Sequence, residues 1–162
     1  RQKKLLPERI HFGAMLEVPA LAEVLDLLLP KLSFLSIGTN DLTQFLFAAD
    51  RANPKLAERY DWLSVAILRF LRRVVEASRG SGVEIGVCGE MGGRRLEALA
   101  LLGIGYRRLS ITPTAVGPIK EMVRKIDLAE LSAAMAGWLA DPATNLRREL
   151  AAWAEAREIE YD

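Results

Sequence analysis

Residues 35–51 run Leu35-Ser36-Ile37-Gly38-Thr39-Asn40-Asp41-Leu42-Thr43-Gln44-Phe45-Leu46-Phe47-Ala48-Ala49-Asp50-Arg51. The mostly apolar run from Leu32 to Ile37 has the length and composition of a buried strand, and Gly38 breaks it. A polar burst follows (Thr39, Asn40, Asp41, Thr43 and Gln44), then an apolar run and the pair Asp50-Arg51. A hydrophobic strand that ends in a carboxamide beside a carboxylate matches the mouth of an α/β site. There the sheet holds polar groups at strand ends and short loops aim them. Taken alone, the stretch is better explained by Asn40 and Asp41 capping the helix that follows. The rest of the chain shifts that balance.

Upstream, residues 1–9 are a polar lead-in containing Pro7. Ile10 to Val18 (IHFGAMLEV) is almost wholly apolar until Glu17 and is expected as a first strand. Pro19 opens a helix expected to continue from Ala20 to Leu29 and to stop at Pro30. Downstream of the opening stretch, Asn53-Pro54 marks a turn, and Leu56 to Tyr60 has room for one helical turn. Ser64 to Ser78 has helical periodicity, with Val65, Leu68, Leu71, Val74 and Val75 on one face and Arg69, Arg72, Arg73 and Glu76 on the other. Gly80-Ser81-Gly82 ends it.

A third strand is expected from Glu84 to Cys88, then a flexible Gly-rich loop from Gly89 to Gly93 and a helix from Arg94 to Leu102. Arg108 to Ile111 is expected as a short fourth strand, with a helix from Thr112 to about Ile126. Two Ala-rich helices follow, Leu128 to Ala140 and Pro142 to Glu158, parted by Asp141-Pro142. The expected fold class is therefore α/β: four parallel βα units (residues 1–127) and a C-terminal helical tail (residues 128–162). Four βα units make half of an eight-stranded barrel or a small open sheet.

Composition bounds the function. The chain has 162 residues, 51% of them hydrophobic, enough for one good core. It carries 22 basic and 21 acidic residues, so no global field favours nucleic acid or a membrane surface. Paired arginines such as Arg72-Arg73, Arg94-Arg95 and Arg147-Arg148 are scattered, and most read as solvated surface. A single cysteine, Cys88, excludes an intrachain disulfide or a cysteine zinc site and suits a reducing cytoplasm. No apolar run approaches the roughly 20 residues of a membrane span. The chain opens at Arg1 instead of Met, as a piece of a longer protein would.

In a parallel α/β sheet, functional groups gather at the carboxyl ends of the strands. Those ends deliver Glu17, then Asn40 and Asp41, then Cys88 with Gly89 and Glu90, then Thr112. Glu17 closes an apolar strand, where a carboxylate is costly unless it is paired or bound to metal. With Asp41 on the next strand end it can share a hard cation, and Mg²⁺ suits one or two carboxylates completed by substrate oxygens and water. Arg51 either forks onto a phosphate or carboxylate or pairs with Asp50 or a helix. Cys88 is either a small buried residue or a thiol that meets substrate. His11, the one histidine, lies at the amino-terminal side of its strand and is expected to be structural.

Four motifs stand in order: Gly13–Ala20 (GAMLEVPA), Ser36–Gln44 (SIGTNDLTQ), Asp50-Arg51 and Cys88–Met91 (CGEM). Together they resemble the C-terminal phosphoenolpyruvate (PEP)-binding domain of phosphoenolpyruvate–protein phosphotransferase, Enzyme I of the sugar phosphotransferase system. The Ala-rich tail resembles its nitrogen-regulatory paralogue. The resemblance spans about residues 10–126 and implies the second half of a (β/α)8 TIM barrel. It implies that Glu17 and Asp41 ligate Mg²⁺ and that Asn40 and Arg51 hold the phosphoryl group of PEP. Cys88 is implied as the general acid that protonates the enolate carbon to give pyruvate. Backbone groups from Met91 to Gly93 help seat the substrate in this reading.

The same resemblance implies a cytoplasmic homodimer that passes phosphate to a phosphocarrier protein through an amino-terminal half. That half carries the phosphoacceptor histidine and the first four barrel strands; His11 cannot replace that histidine. Without these parts the isolated chain is expected to be inactive. Two local departures stand out: Arg94 follows the glycine loop where the family usually has an acid, and Leu63-Ser64-Val65 replaces a common His-Pro pair. The alternatives are the similar domain of pyruvate phosphate dikinase or PEP synthase, and a non-catalytic dimerisation or ligand-sensing module.

Overall fold

A computed structural model describes residues 7–57 and 61–161 of the chain. The predicted first strand is shorter than its apolar run: β1 covers Gly13–Leu16. It pairs in parallel with β2 (Phe34–Gly38), and β2 pairs in parallel with β3 (Glu84–Cys88), giving a three-stranded sheet in the order β1-β2-β3. Ile10 and Phe12 stay outside the ladder and exposed, although the Phe12 carbonyl still accepts from Ser33 N–H at 2.7 Å. His11 is also exposed and precedes β1, so it packs into no core.

The expected fourth strand, Arg108 to Ile111, is reduced to one isolated parallel bridge between Val87 and Leu109 among the described residues. Two hydrogen bonds make it: Val87 N–H donates to Arg108 O at 2.9 Å, and Ser110 N–H donates to Val87 O at 2.8 Å. Thr112-Pro113 then turns the chain into a helix before the ladder can lengthen.

Register explains the sheet's two faces, because alternate side chains point to opposite sides. Leu16, Leu35, Ile37 and Val87 share one face and are buried. Met15, Phe34, Ser36, Gly86 and Cys88 share the other, where Met15 and Phe34 are about half exposed. The buried face is covered by helices.

The expected helix from Ala20 to Leu29 is broken in two, α1 (Pro19–Ala22) and α2 (Leu25–Leu28), then a 3₁₀ turn at Leu29–Lys31. Val24 leaves helical geometry at ψ 19°, which separates them, and Pro30 sits inside the 3₁₀ turn instead of ending a helix. After β2 come α3 (Thr39–Phe47) and α4 (Pro54–Ala57). The turn expected from Leu56 to Tyr60 falls partly outside the described residues.

Helix α5 (Val65–Ser78) begins as its pattern predicts, with the Ser64 hydroxyl accepting from Ile67 N–H. The Gly-rich segment after β3 is a turn, not a loose loop: Glu90–Gly93 forms a 3₁₀ turn with Met91 and Gly92 buried.

Helix α6 (Arg95–Gly103) is buried from Leu96 onward. It is enclosed by α7 (Pro113–Val123) and by the tail helices α8 (Leu128–Trp138) and α9 (Leu146–Glu155). Leu131, Met135, Leu146, Leu150 and Trp153 of the tail join the same apolar core as Leu68, Leu71 and Leu99. No described helix is long and apolar enough to cross a membrane.

One polar cluster ties the tail to the rest. Arg147 of α9 grips Asp61 through two hydrogen bonds, Nε to Oδ2 at 3.0 Å and Nη2 to Oδ1 at 2.7 Å. The same guanidinium donates to Glu97 Oε1 at 2.9 Å, and Glu97 is only 3% exposed. Partial burial raises the Asp61 carboxyl, but the Arg147 hydrogen bonds, the Leu63 N–H and the charges of Arg147 and Arg94 hold it net below its ordinary value. Its Asp61 and Glu97 partners push Arg147 further above the guanidinium range against a smaller effect of burial. Arg147 is thus a structural clamp as well as a partly solvated surface residue.

Candidate functional site

The carboxyl ends of β1, β2 and β3 lie side by side, because Leu16, Ile37 and Val87 are in register. At β2, the expectation that Asn40 and Asp41 cap the next helix is not met. Gly38 occupies the cap position without a side chain, and both residues sit inside the first turn of α3. Their side chains are therefore free for other partners.

Asn40 stitches β2 to β3: its Oδ1 accepts from Glu90 N–H at 3.2 Å and its Nδ2 donates to Glu90 Oε1 at 3.5 Å. Thr39 adds a second stitch, Oγ1 donating to Cys88 O at 3.1 Å. Gly89 makes the close approach possible. Its φ is +108°, and a Cβ there would lie 2.6 Å from Thr39 Oγ1 and 3.1 Å from Asn40 Oδ1.

Asp41, in the first turn of α3, pairs with Arg51, Nη2 to Oδ1 at 3.3 Å, so Arg51 takes a helix carboxylate and not Asp50 as its partner. Two features bring Arg51 back to α3: its N–H donates to Gln44 Oε1 at 3.2 Å, and Asp50 Oδ1 closes the turn by accepting from Ala52 N–H at 2.8 Å. Both side chains of the pair are more than a third exposed, so the bridge is worth at most about 1 kcal/mol and an incoming anion can displace it cheaply.

Glu17, one residue beyond β1, lies over Gly38. A Cβ on Gly38 would come within 2.6 Å of Glu17 Cγ and 2.9 Å of Oε1, so the bare strand end is a cradle for this carboxylate. Glu17 and Asp41 offer hard oxygen donors at adjacent strand ends, a donor set that suits Mg²⁺ better than a soft metal. Among the described residues no three His, Cys, Asp or Glu side chains form a ready cluster.

Cys88 ends β3 partly buried. Its Sγ accepts from Ser36 Oγ at 3.0 Å, and its S–H donates to Ile37 O at 3.5 Å. Ser36 and Thr39 hold the cysteine; Thr39 stood in the polar burst after Gly38, but neither was singled out in the sequence as a partner of Cys88. The available signal was Ser36's polarity inside an apolar strand, two residues before the strand's last position.

An open cleft of about 950 Å³ adjoins these ends, lined by Asn40, Gly89, Glu90, Gly93, Arg94 and Thr112 among others. Arg94, the residue that departs from the usual acid, stacks over Trp62 with its guanidinium carbon 5.2 Å from the ring centroid. The structure thus brings Asn40 to Glu90, Asp41 to Arg51 and Glu17 to Gly38 on one rim, with Cys88 beside them.

A parallel sheet whose strand carboxyl ends gather carboxylates, a carboxamide, an arginine and a thiol beside a cleft has the arrangement of an α/β protein with its polar groups at the strand ends. Residues 1–128 match the family described as PEP-utilising enzyme, PEP-binding domain, and the chain belongs to that family. It is 43% identical over 124 residues to a "Phosphoenolpyruvate-protein phosphotransferase" of Borreliella burgdorferi, covering 76% of this chain and 22% of that protein. It is 40% identical over 148 residues to a "Phosphoenolpyruvate-dependent phosphotransferase system" protein of Escherichia coli, covering 91% and 20%. It is 37% identical over 120 residues to a "Multiphosphoryl transfer protein" of Escherichia coli, covering 74% and 14%. The chain spans about a fifth of the length of the first two of these relatives.

Proposed function

We propose that this chain is the PEP-binding segment of a phosphoenolpyruvate–protein phosphotransferase, in which PEP gives its phosphoryl group to an enzyme histidine and leaves as pyruvate. The observation that carries this is the single rim holding Glu17 over Gly38, Asp41 on Arg51 and Asn40 on Glu90, with Cys88 beside it. The relatives' names support a phosphotransferase over a dikinase or synthase. They also weigh against a purely non-catalytic module.

In this proposal Arg51 exchanges its weak bond to Asp41 for the phosphate of PEP, and Asn40 donates through Nδ2 to a phosphoryl oxygen. Each gives a hydrogen bond to a negatively charged oxygen, and such bonds are the strong ones. Glu17 and Asp41 would hold Mg²⁺, which when bound neutralises phosphate charge. Cys88 keeps its proton on sulfur until the enolate forms and then delivers it to carbon. The fixed backbone at Gly89 and the stitch from Thr39 keep that sulfur at the strand end.

Residues 1–127 are proposed as half of a (β/α)8 barrel, built as four βα units with Leu109 marking the fourth strand, and residues 128–162 as a tail that buttresses it. The half-exposed Met15 and Phe34 on the sheet's second face support this, since further barrel strands would cover that face. Homodimer assembly, a cytoplasmic location and hand-off to a phosphocarrier protein through further domains complete the proposal; they rest on the family resemblance. The chain alone is predicted to release no pyruvate in steady state. The test is the phosphorus NMR signal of PEP with Mg²⁺ and this chain: broadening that disappears in Arg51→Met supports the proposal. Identical broadening in Arg51→Met sinks it.

A further inference from the structure

Ser36 is a polar residue in an apolar strand, and register puts it on the sheet face of Cys88. Its partner across the ladder is Gly86, and Cys88 pairs with Gly38. With Gly86 bare, the hydroxyl reaches diagonally to Cys88 and donates to Sγ at 3.0 Å. The thiol proton is directed at the Ile37 carbonyl, 3.5 Å away. Thr39 Oγ1 holds the Cys88 carbonyl at 3.1 Å, so the corner between β2 and α3 fixes both the backbone and the sulfur.

A hydroxyl that donates to sulfur favours the thiolate over the thiol, because the charged acceptor makes the stronger hydrogen bond. We infer that Ser36 is a positioning residue for proton transfer by Cys88: it holds Sγ in place and stabilises the thiolate that remains. This rests on the proposed role of Cys88 as general acid. In that step the S–H bond breaks and its electron pair stays on sulfur, while the proton forms a C–H bond at the methylene carbon of the pyruvate enolate. Negative charge leaves the enolate and arrives on sulfur, where the Ser36 donor already stands. The bond therefore strengthens as the proton moves, which is the kind of contact that lowers a barrier.

The charged groups on the elements around Cys88 are Glu17 beyond Gly38, the Asp41–Arg51 pair on the α3 side, Glu90 on the next turn, and Glu84 at the start of β3 paired with Arg108 beside Gly86. None of them hydrogen-bonds the sulfur among the described residues, which leaves Ser36 as its donor.

Cys88 is the sole cysteine of the sequence, so alkylation of this chain by iodoacetamide reports one thiol. The rate is followed against pH for the wild-type chain, Ser36→Ala and Ser36→Thr, with folding checked by circular dichroism. Loss of the donor moves the midpoint of the profile to higher pH and lowers the thiolate fraction below it about tenfold, the equivalent of one pKa unit. Ser36→Thr keeps the hydroxyl and restores the midpoint. If Ser36→Ala does not fold, Ser36→Thr against Ser36→Val gives the same comparison of hydroxyl with methyl. An unchanged midpoint in a folded chain without the hydroxyl overturns the role of Ser36 and leaves that of Cys88 standing. Pyruvate formation retained by the longer enzyme carrying Cys88→Ala removes the role of Cys88, and the inference on Ser36 falls with it even where the alkylation shift is present.

Discussion

Replacing Arg147 by methionine removes the guanidinium that joins Asp61 to the buried Glu97 while keeping most of the apolar stem. Asp61 loses little, since its side chain is 45% exposed and water replaces the bond. Glu97 loses more: its side chain is 4% exposed and Arg147 Nη2 is 2.9 Å from its Oε1. Breaking a fully buried pair costs about 3–5 kcal/mol. Arg147 is itself 47% exposed, so water reaches one side of the cluster and the cost is set at about 2 kcal/mol. For a chain of this size that lowers Tm by about 4–8 °C. Urea unfolding of Arg147→Met, Glu97→Leu and the double variant measures it directly. The double variant leaves no orphaned buried charge, so it should lose less than the two single losses added together. A cost below about 0.5 kcal/mol for Arg147→Met, or strict additivity, refutes the clamp.

Acid should act on the same cluster. The folded-state pKa of Asp61 lies below its ordinary 3.8, so its contribution is present above that value and fades as pH falls through the folded pKa. Arg147→Met is expected to flatten the stability profile on the acid side, and a slope identical to wild type below pH 4 rules this out. Gly38→Ala is expected to fold, because φ of −82° suits alanine, while its Cβ pushes the Glu17 carboxylate off the strand end. Mg²⁺-dependent PEP binding should weaken at least tenfold with the melting temperature little changed; unchanged binding argues against the cradle.

The strand ends were legible because they are local. Each β-segment is a short apolar run that a polar residue or glycine terminates, and Glu17, Asn40, Asp41 and Cys88 follow from position alone. The pairings were not legible, since they depend on how the chain closes. Asn40 with Glu90, 50 residues apart, became visible only at the close approach of Gly89, and Asp41 with Arg51 only when the turn at Asp50 brought the arginine back to α3. Arg147 looked like surface because its partners, Asp61 and Glu97, lie 86 and 50 residues away. The broken helix at Val24 shows the limit of periodicity: the apolar spacing continues through the break, but the backbone does not. The fourth strand shows another limit, since RLSI has strand composition but forms only the Leu109 bridge before Pro113 starts α7.

The most direct test of the central claim is calorimetric titration of PEP into this chain, with and without Mg²⁺, beside Asp41→Ala. The account predicts binding that needs Mg²⁺ and is lost in Asp41→Ala. Binding that survives both the removal of Mg²⁺ and the loss of Asp41, or no binding by the wild-type chain, would contradict it.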